Sequence, residues 1–102
     1  MVKKRKAIVS WDQTAFLSLQ MAFEIISKDS VSNAEKVRDT LLKIIRGLPN
    51  NPERFPPDKF KENNKGNYRA FEKFSFRIAY RVSAREIKIL RIRHVRQEPK
   101  MH

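Results

Sequence analysis

The chain contains no cysteine, which excludes disulfides and thiolate zinc sites. It has two histidines, His94 and His102, too few to build a metal centre from imidazole, so neither a metal nor another cofactor is expected. No stretch approaches the roughly 20 apolar residues of a membrane span. The opening, Met1 to Ser10, is basic but has too short an apolar core for a secretory signal. These absences predict a cytoplasmic protein without membrane partners. Acidic side chains are also scarce: 11 Asp and Glu stand against 23 Lys and Arg, giving a net charge of +12 and a pI near 10.5. Such an excess favours anionic partners and steers their approach, but does not specify a fold.

What is present suits one domain of 102 residues, with 40% hydrophobic residues available for a core. The last third, Gly66 to His102, alternates apolar and aromatic residues with arginine. It holds ten Lys or Arg against three Glu, so +7 of the +12 lies there. A sheet with one apolar face and one arginine face is suited to RNA, DNA or an acidic protein segment. A plain solvated basic surface is the competing explanation.

Lys4 to Ser10 reads as a short strand centred on Ala7, Ile8 and Val9. Ser10 and Gln13 have the spacing of a capping box for a first helix over 11–28, with Phe16, Leu19, Phe23 and Ile26 on its buried face. Ser32 and Glu35 repeat that spacing ahead of a second helix over 33–46, whose apolar face is Ala34, Val37, Leu41, Ile44 and Ile45. Gly47 suits a left-handed cap and Pro49 blocks continuation. The short joint, Asp29 to Ser32, predicts an antiparallel helical hairpin.

Residues 49–65 hold four of the five prolines, with Phe55 and Phe60 as anchors to the body. A connection this long is either functional or a plain crossover into the sheet. Three strands follow, over 68–74, 76–82 and 87–94, the last two joined as a hairpin through Ser83 to Glu86. Pairing Ile78 with Ile92 and Tyr80 with Leu90 sets a consistent core face. It also puts Arg77 opposite Arg93 with Arg91 beside them, a like-charge cluster that calls for an anion. In that register Ile87 and Ile89 fall on the arginine face, so a bulge or a partly apolar groove is required. The expected fold is α+β in the order β-α-α-β-β-β. A two-helix hairpin covers one face of a mostly antiparallel four-stranded sheet, and the other face is exposed and basic.

This order and length resemble the RelE/ParE superfamily of type II toxin–antitoxin toxins, the plasmid-stabilisation type, over nearly the whole chain. The similarity is carried by G-N-Y-R (66–69), F-R-I-A-Y-R-V (76–82), I-L-R-I-R-H-V-R-Q-E-P (89–99) and L-P-N-N-P-E-R-F-P (48–56). The resemblance implies a basic toxin neutralised by an acidic antitoxin that wraps it with a disordered tail. RelE-like members cut mRNA in the ribosomal A site. ParE-like members poison DNA gyrase and are not nucleases.

Under the RelE-like reading, taken first, the 2′-OH attacks the adjacent phosphate without a metal, and arginine neutralises the phosphorane. By position, Arg77 then matches the middle-strand arginine of the family and Arg96 the arginine after the last strand. Arg69 lies where a basic residue is common. His102 stands where the family carries a tyrosine. His94, at the end of the last strand, is the other acid–base candidate; its alternative is a strand-end hydrogen bond. Arg81, Arg91, Arg93 and the loop residue Lys65, with Lys59 and Lys61, are candidate contacts to an RNA backbone, as are Lys3 to Lys6 to ribosomal RNA. Trp11 reads as an apolar anchor, and Tyr68 and Tyr80 as core-facing. As an exposed arginine, Arg77 is expected to be dispensable for folding.

Overall fold

The structure of the chain, a computed structural model, describes residues 7–95. Its elements are β1 (Ile8–Trp11), α1 (Gln13–Ser27), α2 (Val31–Gly47), a 3-10 turn (Leu48–Asn50), β2 (Tyr68–Lys73), β3 (Phe76–Val82) and β4 (Glu86–His94). The four strands form one sheet in the order β1-β4-β3-β2. β1 runs parallel to β4, and the other two pairs are antiparallel. The α+β fold and the element order are those the sequence predicts. Lys3 to Lys6, Arg96 and His102 lie outside the described residues.

The helix starts differ from expectation. Ser10 does not cap α1. It stays in β1 opposite Lys88, and its hydroxyl donates to Glu86 Oε2 at 2.8 Å. Asp12 N–H still donates to Ile89 O at 2.8 Å, so the strand ladder persists to residue 12 and no helix can begin earlier. Asp12 is the cap instead, its Oδ1 accepting from Thr14 N at 2.9 Å. At α2, Ser30 takes the role predicted for Ser32, its Oγ accepting from Asn33 N at 3.0 Å. Ser30 N–H also donates back to Ile26 O, so the chain turns at once from α1 into α2. Gly47 keeps right-handed geometry, with φ −81°, because α2 runs straight into the 3-10 turn.

The register conflict on β4 is resolved by a bulge. Ala79 pairs with Arg91 but Tyr80 pairs with Ile89, leaving Leu90 as the extra residue. That insertion turns Ile87 and Ile89 onto the same face as Ile92, and all three are buried. Tyr80 therefore pairs with Ile89, not Leu90, while Ile78–Ile92 and Arg77–Arg93 stand as expected. The core joins these residues to Phe71, Ile78 and Tyr80 of the sheet, Leu19 of α1, and Val37, Leu41 and Ile45 of α2. Each fully buried aliphatic side chain contributes about 1.5–3 kcal/mol over an exposed one.

β2 and β3 meet at a two-residue turn, Phe74–Ser75, with φ of 52° and 66°. This is the left-handed geometry that favours Asn-Gly, adopted here by residues that pay for it in steric strain. Ser75→Gly should therefore raise the unfolding free energy by about 1 kcal/mol in urea titration. An unchanged midpoint would show the turn to be unstrained.

The 49–65 segment is an ordered cover for the free edge of β2. Asp58 N–H donates to Tyr68 O at 2.8 Å, Ala70 N–H donates to Pro56 O at 3.2 Å, and Pro57 bridges Arg69. Phe55 stacks on Phe71 with centroids 4.5 Å apart. Asp58 to Phe60 then fold over the sheet face opposite the helices. That face is not wholly open, as the sequence had suggested.

Candidate functional site

Strand alternation places Arg77, Ala79 and Arg81 of β3 on the face away from the helices. Arg77 was expected to be exposed there, yet it is only 9% exposed. Its Nη2 donates to Asp58 Oδ1 at 2.8 Å and its Nη1 to Glu72 Oε2 at 2.9 Å. Glu72 is its direct cross-strand partner on β2, and Asp58 arrives from the covering loop, itself buried. The guanidinium lies 4.7 Å from the centroid of the Phe60 ring, and Arg93 lies 5.4 Å from the same centroid. The anion that the facing arginines require is thus supplied by the chain itself.

The other candidates separate into different surroundings. Arg69 pairs with Tyr80 and turns to the helix side, where its Nη1 donates to Phe55 O at 2.7 Å and Glu53 O at 3.4 Å. It holds the covering loop to β2. Arg81 reaches Glu86 Oε1 at 3.4 Å across the hairpin. Arg91 is half-buried opposite Ala79. Arg93 Nη1 donates to His94 O at 3.3 Å. Lys65 is exposed on the loop.

His94 pairs with Phe76 and faces the helices, meeting the Phe76 ring edge-on at 5.6 Å. Arg77 and His94 therefore point to opposite faces of the sheet. Tyr68, expected to face the core, lies instead opposite Arg81, on the face away from the helices. Among the described residues, no group of three His, Asp or Glu side chains is placed to hold a metal ion, and no helix is long and apolar enough to cross a membrane.

Tyr80 is fully buried, and its hydroxyl donates to Pro52 O at 2.9 Å. Burial pushes its pKa above the ordinary tyrosine value, against the opposing pull of Arg69 and Arg54. The folded state thus holds this proton more tightly than the unfolded chain. Its contribution is complete below the unfolded tyrosine value and is lost as pH rises through the folded one. Tyr80→Phe should cost about 1 kcal/mol near neutrality for the lost hydrogen bond and should flatten the alkaline limb of stability against pH. An alkaline limb identical in wild type and variant would place the titrating group elsewhere.

A surface missed by the sequence reading is a groove of about 730 Å³ between the helical hairpin and the end of the β3–β4 pair. Met21, Ile25, Val37, Phe76, Ile92 and His94 line it, and Phe74 of the strained turn stands at its rim. Leu17, Met21 and Ile25, spaced four apart on α1, are all exposed. The signal was present: alongside its core stripe, α1 has this second apolar stripe, so a single buried face could not account for it.

Residues 9–99 match the family described as ParE toxin of type II toxin-antitoxin system, parDE. No match is found among curated proteins. Solved structures share the fold, among them two toxin–antitoxin complexes. The chromosomal ParDE toxin–antitoxin system from P. aeruginosa superposes with a TM-score of 0.68 at 18% identity, covering 87% of this chain and 96% of the other. The toxin–antitoxin complex RelBE2 from Mycobacterium tuberculosis gives 0.62 at 17% identity, covering 88% and 99%. The family match spans most of the chain and the fold agrees with it: the protein belongs to the ParE toxin family, the toxin side of type II toxin–antitoxin systems.

Proposed function

We propose that this toxin acts in the cytoplasm by binding DNA gyrase and does not cut RNA. The observation that carries this reading is the state of Arg77. Both of its terminal nitrogens hold carboxylates, and the guanidinium is buried beneath Phe60. A nuclease needs that charge free to meet a developing phosphorane. The separation of Arg77 and His94 onto opposite faces supports the same conclusion, because acid–base and charge-neutralising groups must converge on one phosphate.

The RelE-like alternative, a ribosome-dependent mRNA endoribonuclease, rests on Arg77, Arg96, His94 and His102, with Arg69, Arg81, Arg91, Arg93 and Lys65 along the RNA. Its specific support is that Arg93 and His94 both line the groove at the end of β4. Induction in cells separates the two. Under the gyrase reading, growth arrest comes with DNA damage and messages intact at their 5′ ends, and His94→Ala remains fully toxic. Cuts within translated codons, lost in His94→Ala, would establish the nuclease.

The cognate antitoxin is proposed to dock an amphipathic segment in the groove beside α1, its apolar side on Met21, Ile25 and Phe74. Acidic residues on that segment complement the net charge of +12. Toxin and antitoxin would then associate faster at low salt.

A further inference from the structure

The loop entering β2 carries a second surface, on the face opposite the groove. Asn64 organises it. Its Nδ2 donates to Tyr68 O at 2.7 Å and Asp58 O at 3.3 Å, while its Oδ1 accepts from Gly66 N at 2.9 Å and Tyr68 N at 3.3 Å. Lys61 N–H donates to Asp58 O at 3.2 Å, and Gly66 takes the left-handed φ of 100° that closes the loop. Residues 58–68 are thereby a fixed platform.

The platform interleaves aromatic rings with cations. Lys59 Nζ, Arg77 and Arg93 all lie within 5.4 Å of the Phe60 ring centroid, and Lys61 Nζ lies 4.8 Å from that of Tyr68. Both rings are partly buried, and Lys59 and Lys65 are exposed. Asp58 and Glu72 are engaged with Arg77, which leaves Glu62 as the loop's other acidic group. The surface charge is therefore positive around two partly exposed rings, each with at least one cation stacked on it.

We propose that this platform binds single-stranded nucleic acid. Lys59, Lys61 and Lys65 neutralise successive phosphates, and bases stack on Phe60 and Tyr68 in place of the lysine ammonium groups. A duplex offers the same phosphates but keeps its bases stacked, so it cannot use the rings. Polyglutamate offers charge without an aromatic base to stack. The site goes beyond the proposed action on gyrase, and no gyrase enters its test.

The test is fluorescence anisotropy of the full chain with a labelled oligothymidylate of about 15 nucleotides, a duplex of equal length, and polyglutamate as competitor. The single strand should bind tightest. Lys59→Ala/Lys61→Ala/Lys65→Ala should lower the slope of log K against log salt by about 2, following from 0.7 per neutralised phosphate. Phe60→Leu, which keeps an apolar side chain under the loop, should lose about tenfold in affinity. A control triple on α2, Lys36→Ala/Lys43→Ala/Arg46→Ala, should retain wild-type binding. The proposal is overturned if the duplex binds as tightly as the strand, if polyglutamate competes as well as unlabelled strand, or if the control triple loses as much as the loop triple. The loop lysines are surface residues, so that variant tests the site even should Phe60→Leu unfold.

Discussion

Arg77→Ala should lower the unfolding free energy by about 3–5 kcal/mol, a large part of what a domain of this size possesses. Removing the guanidinium takes the Arg77 charge away from the buried Asp58 carboxylate, which keeps the Phe60 N–H at 3.0 Å, and strips Glu72 of its cross-strand partner. The largest cost is a buried carboxylate whose charge is less well compensated, not the lost attraction. Asp58→Asn combined with Arg77→Met should accordingly recover most of the loss, since a neutral pair of similar volume avoids the cost of burying two charges. Urea titrations of Asp58→Asn, Arg77→Met and the double variant give the coupling. If Arg77→Ala unfolds at the wild-type midpoint, the ion pair does not persist in solution. The consequence for function is direct. Loss of toxicity in Arg77→Ala would not by itself identify a catalytic arginine, because the same substitution removes the tie holding the covering loop on the sheet.

Met21→Asp/Ile25→Asp should weaken antitoxin capture by about 100-fold or more while leaving the fold intact. Both side chains are exposed on α1, so the uncomplexed toxin loses no core packing. In the proposed complex they are central apolar anchors, and such positions commonly cost about 2 kcal/mol or more each when lost. Two carboxylates would also repel an acidic antitoxin. Calorimetric titration of toxin with antitoxin measures the effect. Wild-type affinity in this variant would move the antitoxin to another surface, with the basic sheet face the first to examine.

Much of the architecture was legible because it rests on short-range pattern. β3 has the limits its alternation suggested, and the mismatch at Ile87 and Ile89 pointed to the bulge that Leu90 supplies. The helix caps were misplaced because Ser10 and Asp12 compete in one short segment. The choice between them is made by pairing with β4, 76 residues away. The partners of Arg77 were only partly accessible. Glu72 follows from the hairpin register, whereas Asp58 comes from a proline-rich loop with no periodicity to place it. The groove went unnoticed because Leu17, Met21 and Ile25 were not weighed apart from the core stripe. The arginine cluster pointed to a neutralising anion, and at Arg77 the carboxylates are the protein's own Asp58 and Glu72.

The most direct test of the central claim uses purified toxin, DNA gyrase, ATP and relaxed plasmid. A gyrase-directed binder should stop supercoiling and accumulate cleaved plasmid, and both effects should be reversed by the antitoxin, with ribosome-bound messages left whole by the same preparation. Undiminished supercoiling together with cut messages on translating ribosomes would contradict it.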